Sequence, residues 1–540
     1  MLQPTKSKSL SNKKGILMSS DVRPELATLQ ARLSRTLDEV RVEAAAKRHA
    51  AGYRTARENL ADLVDADSFV EYGQLAVAAQ RNRRDYEDLQ KSTAADAVIT
   101  GVATINRDYF GRDNSQAAIV VYDYAVLAGT QGFYHHKKLD RIFELAEEWK
   151  LPVIIYTEGG GGRPGDTDVS TSIAGLNITS FSTWARLSGL APRIAINNGY
   201  CFAGNAVLFG CADITIATRT SWIGMAGPAM IEGGGLGIFE PTEIGPIDVQ
   251  EKNGVVDIVA ENEADATAIA KKLLGYFQGP LEDWSCSDQT SLRDIVPENR
   301  RRAYPVRRVI ETLADADSFI ELRRAYGRCM VTGFMRLEGK PVGLIANDGM
   351  QLGGAVDAAA AEKAARFLQL CDAFELPIVS LADTPGFMVG PDSDSQAAVR
   401  RMSSLFVVGA SVSVPVVAVF LRKGYGLGAM AMACGGFTTP VYSAAWPTGE
   451  FGGMGLEGAV RLGYKKELEA VKDEAEREKL FETLLAKMYE VGKATEAATY
   501  LEIDAVIDPA DTRKVILRAL ASVHKSKSSH GKRRTFISTW

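Results

Sequence analysis

Four short stretches carry residue types from which a site can be built. Glu158-Gly159-Gly160-Gly161-Gly162-Arg163 follows the apolar run Val153-Ile154-Ile155-Tyr156, and Asp383-Thr384-Pro385-Gly386-Phe387 follows Ile378–Leu381. Gly199-Tyr200-Cys201-Phe202-Ala203-Gly204-Asn205-Ala206 and Gly424-Tyr425-Gly426-Leu427-Gly428-Ala429-Met430 each close a second apolar run. Glycine lacks a Cβ, so such turns bring backbone N–H groups close to a ligand. Paired N–H groups at a helix N-terminus stabilise an oxyanion, and losing one donor costs about 3 kcal/mol of barrier. Close helix–strand packing also demands glycine, and for a single turn that plainer explanation would serve. Four turns in duplicated positions favour a site.

Other chemistries have little to draw on. There is no GxxxxGK[ST] phosphate loop, so ATP chemistry in this chain is not expected. HExxH is absent, and the six cysteines, at 201, 211, 286, 329, 371 and 434, form no CxxC pair. Neither a metal site nor a disulfide framework is expected. His49, His524 and His530 are poorly placed for catalysis, and His135-His136 reads as a solvated loop pair ahead of a helix. Ser-His-Asp chemistry is thereby disfavoured. The net charge of −5 gives no reason to expect nucleic acid as a partner. What remains is a catalyst of backbone donors whose base comes from a substrate or cofactor.

Those donors must be positioned by something that repeats. Leu63-Val64-Asp65-Ala66-Asp67-Ser68-Phe69-Val70-Glu71 recurs almost unchanged 250 positions later, as Leu313 to Glu321. The offset then settles at 225, pairing Gly129 with Gly354, Lys138 with Lys363, Pro152 with Pro377 and Glu158 with Asp383. A repeat this long means two copies of one domain. The 25 extra residues of the first copy are assigned to the charged stretch 81–90. Leu139, Ile142, Phe143, Ala146 and Trp149 keep helical spacing, and Ala364, Phe367, Leu368, Cys371 and Phe374 repeat it. Each set predicts one buried helix stripe.

A strand follows each helix, then the turn, then a second strand at Arg193–Ile196 or Val416–Phe420. Helices alternating with strands too apolar to face water predict an α/β fold. Residues 22–65 read as a helical arm, and Leu468–Tyr489 as a charged amphipathic helix. The expected organisation is a basic tail over 1–21, an N-terminal domain over 22–290, a C-terminal domain over 291–520 and a second basic tail over 521–540. No apolar run approaches the roughly 20 residues that span a bilayer. The first tail lacks arginine, so a cytoplasmic location is expected rather than the mitochondrial matrix.

At these residues the chain resembles the carboxyltransferase β-subunits of biotin-dependent acyl-CoA carboxylases, of the propionyl-CoA carboxylase type. The likeness spans roughly residues 30–515. Its motifs are Thr55-Ala56-Arg57-Glu58, Val296 to Arg302, Asn347-Asp348, Glu362 to Phe367, Asp383 to Phe387 and Arg422-Lys423-Gly424-Tyr425-Gly426. The resemblance implies two tandem crotonase-like ββα-spiral domains. It also implies a hexamer, a trimer of dimers, with each active site between the N-domain of one protomer and the C-domain of another. Acyl-CoA would sit on the N-domain and carboxybiotin on the C-domain. Carboxybiotin would lose CO2, its nitrogen would take the α-proton, and the thioester enolate would attack the CO2.

By the same resemblance, Gly160 and Gly161 would donate to the thioester oxyanion. Gly162, Arg163, Ala203 and Gly204 would line the acyl-CoA side, with Lys137, Lys138 and Arg163 near CoA phosphates. The biotin side would comprise Thr384, Pro385, Gly386, Phe387, Gly426 and Met430. Its oxyanion donors would be Leu427 and Gly428, or Gly428 and Ala429. The chain departs from the family's pattern in Glu158-Gly159 for Asp-Ser, in Leu427-Gly428 for Gly-Ala, and in the apolar Met430. Met430-Ala431-Met432-Ala433 lacks the lysine of a biotin attachment site, so a partner must carry biotin and biotin carboxylase. No metal is implied in this chain. Other readings on the same fold are a sodium-pumping type decarboxylase α-subunit and a biotin-independent CoA hydrolase or isomerase with Glu158 as base. A non-catalytic scaffolding relative of a β-subunit is a third.

Overall fold

The computed structural model of the 540-residue chain describes residues 23–163, 165–168, 177–523 and 537–540. Two sheets of matching topology organise it. The first runs β1(Val70–Tyr72), β2(Val98–Thr104), β3(Gln116–Tyr122), β4(Val153–Tyr156), β5(Arg193–Phe202), β6(Ile214–Gly224) and β7(Ile258–Ala260), in that spatial order. The second contains β8(Ile320–Leu322), β9(Met330–Leu337), β10(Lys340–Asn347), β11(Ile378–Thr384), β12(Val416–Tyr425), β13(Tyr442–Ala445), β14(Glu450–Gly452) and β15(Ala505–Val506). Its spatial order is β15-β13-β12-β11-β10-β9-β8, with β14 beside β12. In each sheet the first three strands pair antiparallel and the rest parallel. The parallel strands are buried on both faces, which is why Val153–Tyr156 reads as one apolar run.

Register accounts for the shifting repeat. Glu71 pairs with Gly101 and Glu321 with Gly333, so the offset has fallen from 250 to 232 by the second strand. Ala118 pairs with Val153 and Gly343 with Ile378, which brings it to 225 at the third. The expected single insertion is therefore two. Eighteen residues lie in the β1–β2 connection, which includes the charged stretch, and seven in the β2–β3 hairpin. The repeated acidic segment is a turn, with Asp67 and Asp317 left-handed at φ 59° and 56°. Ser68 and Ser318 donate to the carbonyls of Asp65 and Asp315 at 2.7 and 2.8 Å.

The predicted helical arm is three helices, α1(Pro24–Ser34), α2(Val42–Ala50) and α3(Ala56–Leu63), of which only α3 has buried residues. A capping box between Thr55 and Glu58 starts α3. The two stripe helices are α4(Phe133–Trp149) and, in the second half, Ala358–Ala373. Leu139, Ile142, Phe143 and Ala146 are buried as predicted, but Trp149 is 48% exposed. It is the last residue of α4, before left-handed Lys150 turns the chain away. The predicted helix at Leu468–Tyr489 is interrupted: Lys465–Ala470 and Glu474–Val491 are separate, the second capped by Asp473.

One apolar cluster joins residues of both sheets, including Ile119, Ile154, Phe334 and Ile345. Buried charge also crosses: Arg323 pairs with Asp257 at 2.9 Å, and Arg366 donates to the Asp213 carbonyl at 2.6 Å. The expected tail over 1–21 lies outside the described residues, as does most of 521–540. The final helix runs to Ser522. Ile537–Trp540, at the end of the expected second tail, pack against the body of the protein. Ile537 is buried and exchanges hydrogen bonds with Ser188, Arg323 donates to the Thr539 carbonyl, and the Trp540 ring meets Tyr326.

Candidate functional site

Backbone bonds suspend the first glycine turn between two neighbours. On one side Gly159 donates to the Tyr200 carbonyl at 2.7 Å and Phe202 donates to that of Gly159 at 3.0 Å. On the other, Gln131 donates to the Gly161 carbonyl and Arg163 to the Gln131 carbonyl, both at 2.8 Å. The second turn is held by the same two bonds 225 positions on: Val356 to Gly386 at 3.0 Å and Met388 to Val356 at 2.9 Å. Gly161 and Gly386 both have positive φ, 88° and 123°. Each turn presses on the start of a short helix, α5(Gly204–Gly210) or α6(Gly426–Met432). A Cβ on Gly161 would lie 2.8 Å from the Ala203 Cβ, and one on Gly428 would lie 2.5 Å from the Gly386 carbonyl carbon. By strand register the offset here is 223, so Ala203 corresponds to Gly426, and both have positive φ, 52° and 57°. Each half thus carries one cradle, a turn against a helix N-terminus.

The N–H groups expected to donate in the first cradle both have partners within the chain. The Gly160 N–H points to the Ala128 carbonyl at 3.1 Å, and the Gly161 N–H to Asn205 Oδ1 at 3.0 Å. Both are engaged within the protein. Asn205 is fully buried, and its Nδ2 donates to the Thr157 carbonyl at 3.0 Å, so the side chain fastens α5 to the turn. Among the described residues, no bond uses the N–H of Gly162 or Gly204. Gly162 is exposed and Gly204 half-buried, so both can face a ligand. Ala203 sits at φ 52°, ψ −120° ahead of α5, a costly conformation for a residue with a Cβ. Its strain marks this corner as a shaped site.

In the second cradle Gly426, Leu427 and Gly428 form the first turn of α6, where N–H groups have no intrahelical partner. Gly426 is left-handed at φ 57°, and among the described residues no bond runs from the Ala429 N–H to the Tyr425 carbonyl, so Leu427 with Gly428 and Gly428 with Ala429 both stand as candidate pairs. Thr384 is buried and its Oγ1 accepts from the Gly386 N–H at 3.1 Å. Pro385, Phe387 and Met430 are half-buried around it.

Two of the three expected phosphate cations are otherwise engaged. Lys138 is buried, and its ammonium donates to the carbonyls of Ala95, at 2.9 Å, and Val98. These carbonyls flank three successive left-handed residues, Ala95, Asp96 and Ala97. Lys363 does the same in the second half, donating to Met330, Arg323 and Tyr326 carbonyls at 2.6, 2.8 and 3.0 Å. Burial pulls the lysines down, Lys138 to about 8 and Lys363 to about 7. The duplicated lysine is a structural pin. Arg163 is held by Asp96 at 2.7 Å and Asp166 at 2.9 Å, with its side chain nearly covered. Lys137 alone is exposed, its ammonium 5.6 Å from the Phe133 ring centre.

His135 and His136 are not a solvated loop pair. Both are buried inside α4, His135 against the Asp96 carbonyl and His136 against Ser180 Oγ, each at 3.0 Å. Burial lowers the pKa of each. Glu158 is also buried, and both its oxygens are taken by the Arg48 fork at 3.0 and 2.7 Å. Burial raises the Glu158 carboxyl to about 7 in spite of Arg48, with Glu263 and Asp123 adding to the rise. Arg48 and Asn205 escaped the sequence analysis. Arg48 is 110 positions from its partner, and nothing local marks it. Asn205 stood inside a quoted motif, where its polar side chain amid small apolar residues was the available signal.

Comparison with known proteins places this geometry. A family model described as the carboxyl transferase domain matches residues 47–536. The methylmalonyl-CoA carboxyltransferase 12S subunit of Propionibacterium freudenreichii subsp. shermanii is 32% identical over 490 residues, 88% of this chain and 89% of its own length. The biotin-dependent acetyl-/propionyl-coenzyme A carboxylase beta5 subunit of Mycobacterium tuberculosis is 32% identical over 527 residues, 92% of this chain and 91% of its own. Among solved structures, a single-chain, multi-domain long-chain acyl-CoA carboxylase matches with a TM-score of 0.88 and 55% identity. The match covers 92% of this chain and 49% of that one, so this chain spans about half of the longer polypeptide. The transcarboxylase 12S hexamer, solved with methylmalonyl-CoA bound, matches with a TM-score of 0.79 and 30% identity, over 94% of this chain and 97% of its own.

Proposed function

Because the chain belongs to the carboxyl transferase family, we propose that it is the carboxyltransferase component of a biotin-dependent acyl-CoA carboxylase. Its product is an acyl-CoA carboxylated at the α-carbon. The observation that carries the reading is the doubled cradle, one turn-against-helix site in each half. Two oxyanions develop in such a transfer, one on a thioester and one on a ureido oxygen, and each needs fixed donors.

In this reading the thioester lies in the first cradle, with the N–H groups of Gly162 and Gly204 facing its oxygen. Ala203 shapes the corner, Asn205 holds the turn to α5, and Lys137 is the cation left for the CoA phosphates. The ureido oxygen lies in the second cradle against the N–H groups of Gly428 and of Leu427 or Ala429. Gly428 fits this role because a Cβ there would collide with the backbone of the opposing turn. Carboxybiotin, borne by a separate subunit or a further domain, supplies the carboxyl group. This chain holds both acceptor oxygens still and positions the reacting carbon. The assembly proposed is a hexamer. Identity of 55% to a long-chain enzyme, against 32% to an acetyl-/propionyl enzyme, supports a long acyl chain. The hydrolase alternative loses its base, since Arg48 engages both oxygens of Glu158.

The test mixes the chain with a biotin carboxylase and biotin carrier, ATP and labelled bicarbonate, across acyl-CoAs from acetyl to palmitoyl. Fixation that rises with chain length is the expected result. Complex formation without fixation on any acyl-CoA would overturn the reading.

A further inference from the structure

Glu158 and Asp383 occupy the same place in the two halves, at the end of the first parallel strand before the turn. Each carboxylate is neutralised by arginine, but from different sources. In the second half the arginine is on the neighbouring strand β12: Arg422 donates to Asp383 at 3.1 Å, and the Lys423 N–H adds a bond at 3.0 Å. Val416 pairs with Ile378 as Arg193 does with Val153, and Gly424 with Thr384 as Cys201 does with Gly159, so the corresponding residue of β5 is Gly199, which has no side chain to offer. The arginine of the first half is Arg48, delivered by α2 from outside the sheet.

The replacement is built closely. Gly199 leaves room for the longer glutamate, since a Cβ there would lie 2.4 Å from Glu158 Oε1. Tyr53 and Tyr124 flank the Arg48 guanidinium, with ring centres at 4.7 and 5.5 Å. Arg48 Nε donates to the Arg54 carbonyl at 3.2 Å, which ties the fork to the start of α3. No residue of α2 is itself buried; the Arg48–Glu158 pair and, from the residue just before the helix, the Arg41–Asp123 pair at 2.6 Å hold it to the body of the protein.

We propose that Arg48 is a positioning residue for the first cradle: by gripping Glu158 bidentately, α2 fixes the turn 159–162 and so the donors facing the thioester. This rests on the carboxyltransferase reading and adds to it a residue from outside the duplicated fold. The second cradle, with its arginine on the sheet, does not depend on α2.

Three variants and two readouts test it. Arg48→Met leaves Glu158 unpaired; Arg48→Met/Glu158→Gln removes both charges and keeps the volume. Hydrogen exchange needs no activity, so it remains informative if the function reading fails. In both methionine variants, peptides covering 158–163 should exchange at least tenfold faster, with 383–388 unchanged. In the carboxylation assay the double variant should lose ten- to a hundredfold in kcat with KM for acyl-CoA within twofold, and Arg48→Lys should recover little, because an ammonium cannot span both oxygens. Unchanged exchange over 158–163 would overturn the proposal. So would faster exchange with wild-type kcat in an active enzyme. A wild-type protein inactive with every acyl-CoA would overturn the function reading and leave the exchange result to decide the clamp.

Discussion

Single residues decide whether the cradles work. Gly428→Ala introduces a Cβ 2.5 Å from the Gly386 carbonyl carbon and 2.9 Å from the Phe387 nitrogen. Both obstacles are backbone, so the turn and α6 must separate. Carboxylation should fall by at least about tenfold, the direction expected when a preorganised donor moves, while the far-ultraviolet circular dichroism stays that of the wild type. Lys363→Met strands three carbonyls that now accept from one ammonium. Its cost should be about 2–4 kcal/mol, read as a lower urea midpoint. The pH dependence has a definite sign. The folded pKa of Lys363, about 7, lies below its unfolded value, so the unfolded state binds the extra proton between roughly pH 7 and 10. Wild type therefore gains on Lys363→Met as pH rises from 7 to 9, by up to about 1.4 kcal/mol per unit. A deficit that shrinks over that range would refute the assignment. At this scale the sequence was only partly legible. Glycine runs and the repeat located both turns, since glycine reports local backbone demands. That the N–H groups of Gly160 and Gly161 meet partners at 128 and 205 was not legible, because no local pattern reveals contacts so far apart in the chain.

Elements transmit these requirements. The stripe helices were legible because burial imposes a 3.6-residue period on them, and their ends less so, as exposed Trp149 shows. The parallel strands were legible as apolar runs. The arm was legible as helical but not as three separate helices, because α1 and α2 bury no residue that would mark their ends. What fixes α3 is local chemistry, the Thr55–Glu58 box and a fork from Arg57 to Glu71 at 2.6 and 3.0 Å. Arg307 repeats that fork to Glu321, with bonds of 2.8 and 2.6 Å. Thr55→Ala should cost about 1 kcal/mol. It should also quicken exchange at the start of α3 without altering exchange in Val306–Leu313, the corresponding helix of the second half, and equal effects in both would contradict a local cap.

The whole molecule is held together where its halves meet. Buried Arg323 and Arg366 reach across to Asp257 and Asp213, and Ile537–Trp540 lie over the same seam, touching Ser188 on one side and Tyr326 on the other. Deleting Ile537–Trp540 uncovers an isoleucine site and part of Tyr326. Stability should fall by about 2–3 kcal/mol, seen as an earlier calorimetric transition with the two halves less tightly coupled. An unchanged transition would show the segment to be dispensable. A sequence dominated by a repeat made the doubled architecture plain, but the seam joins residues far apart in the chain. The split insertion has one more consequence. A polypeptide carrying two similar sheets risks exchanging strands between them while it folds, a known failure of tandem domains. Here the β1–β2 link and the β2–β3 hairpin are longer by 18 and 7 residues than their counterparts. A hybrid sheet built from β8 and β9 in place of β1 and β2 would meet connections of the wrong length at both junctions. The unequal loops thus keep the two sheets from being interchangeable in the lengths of their connections.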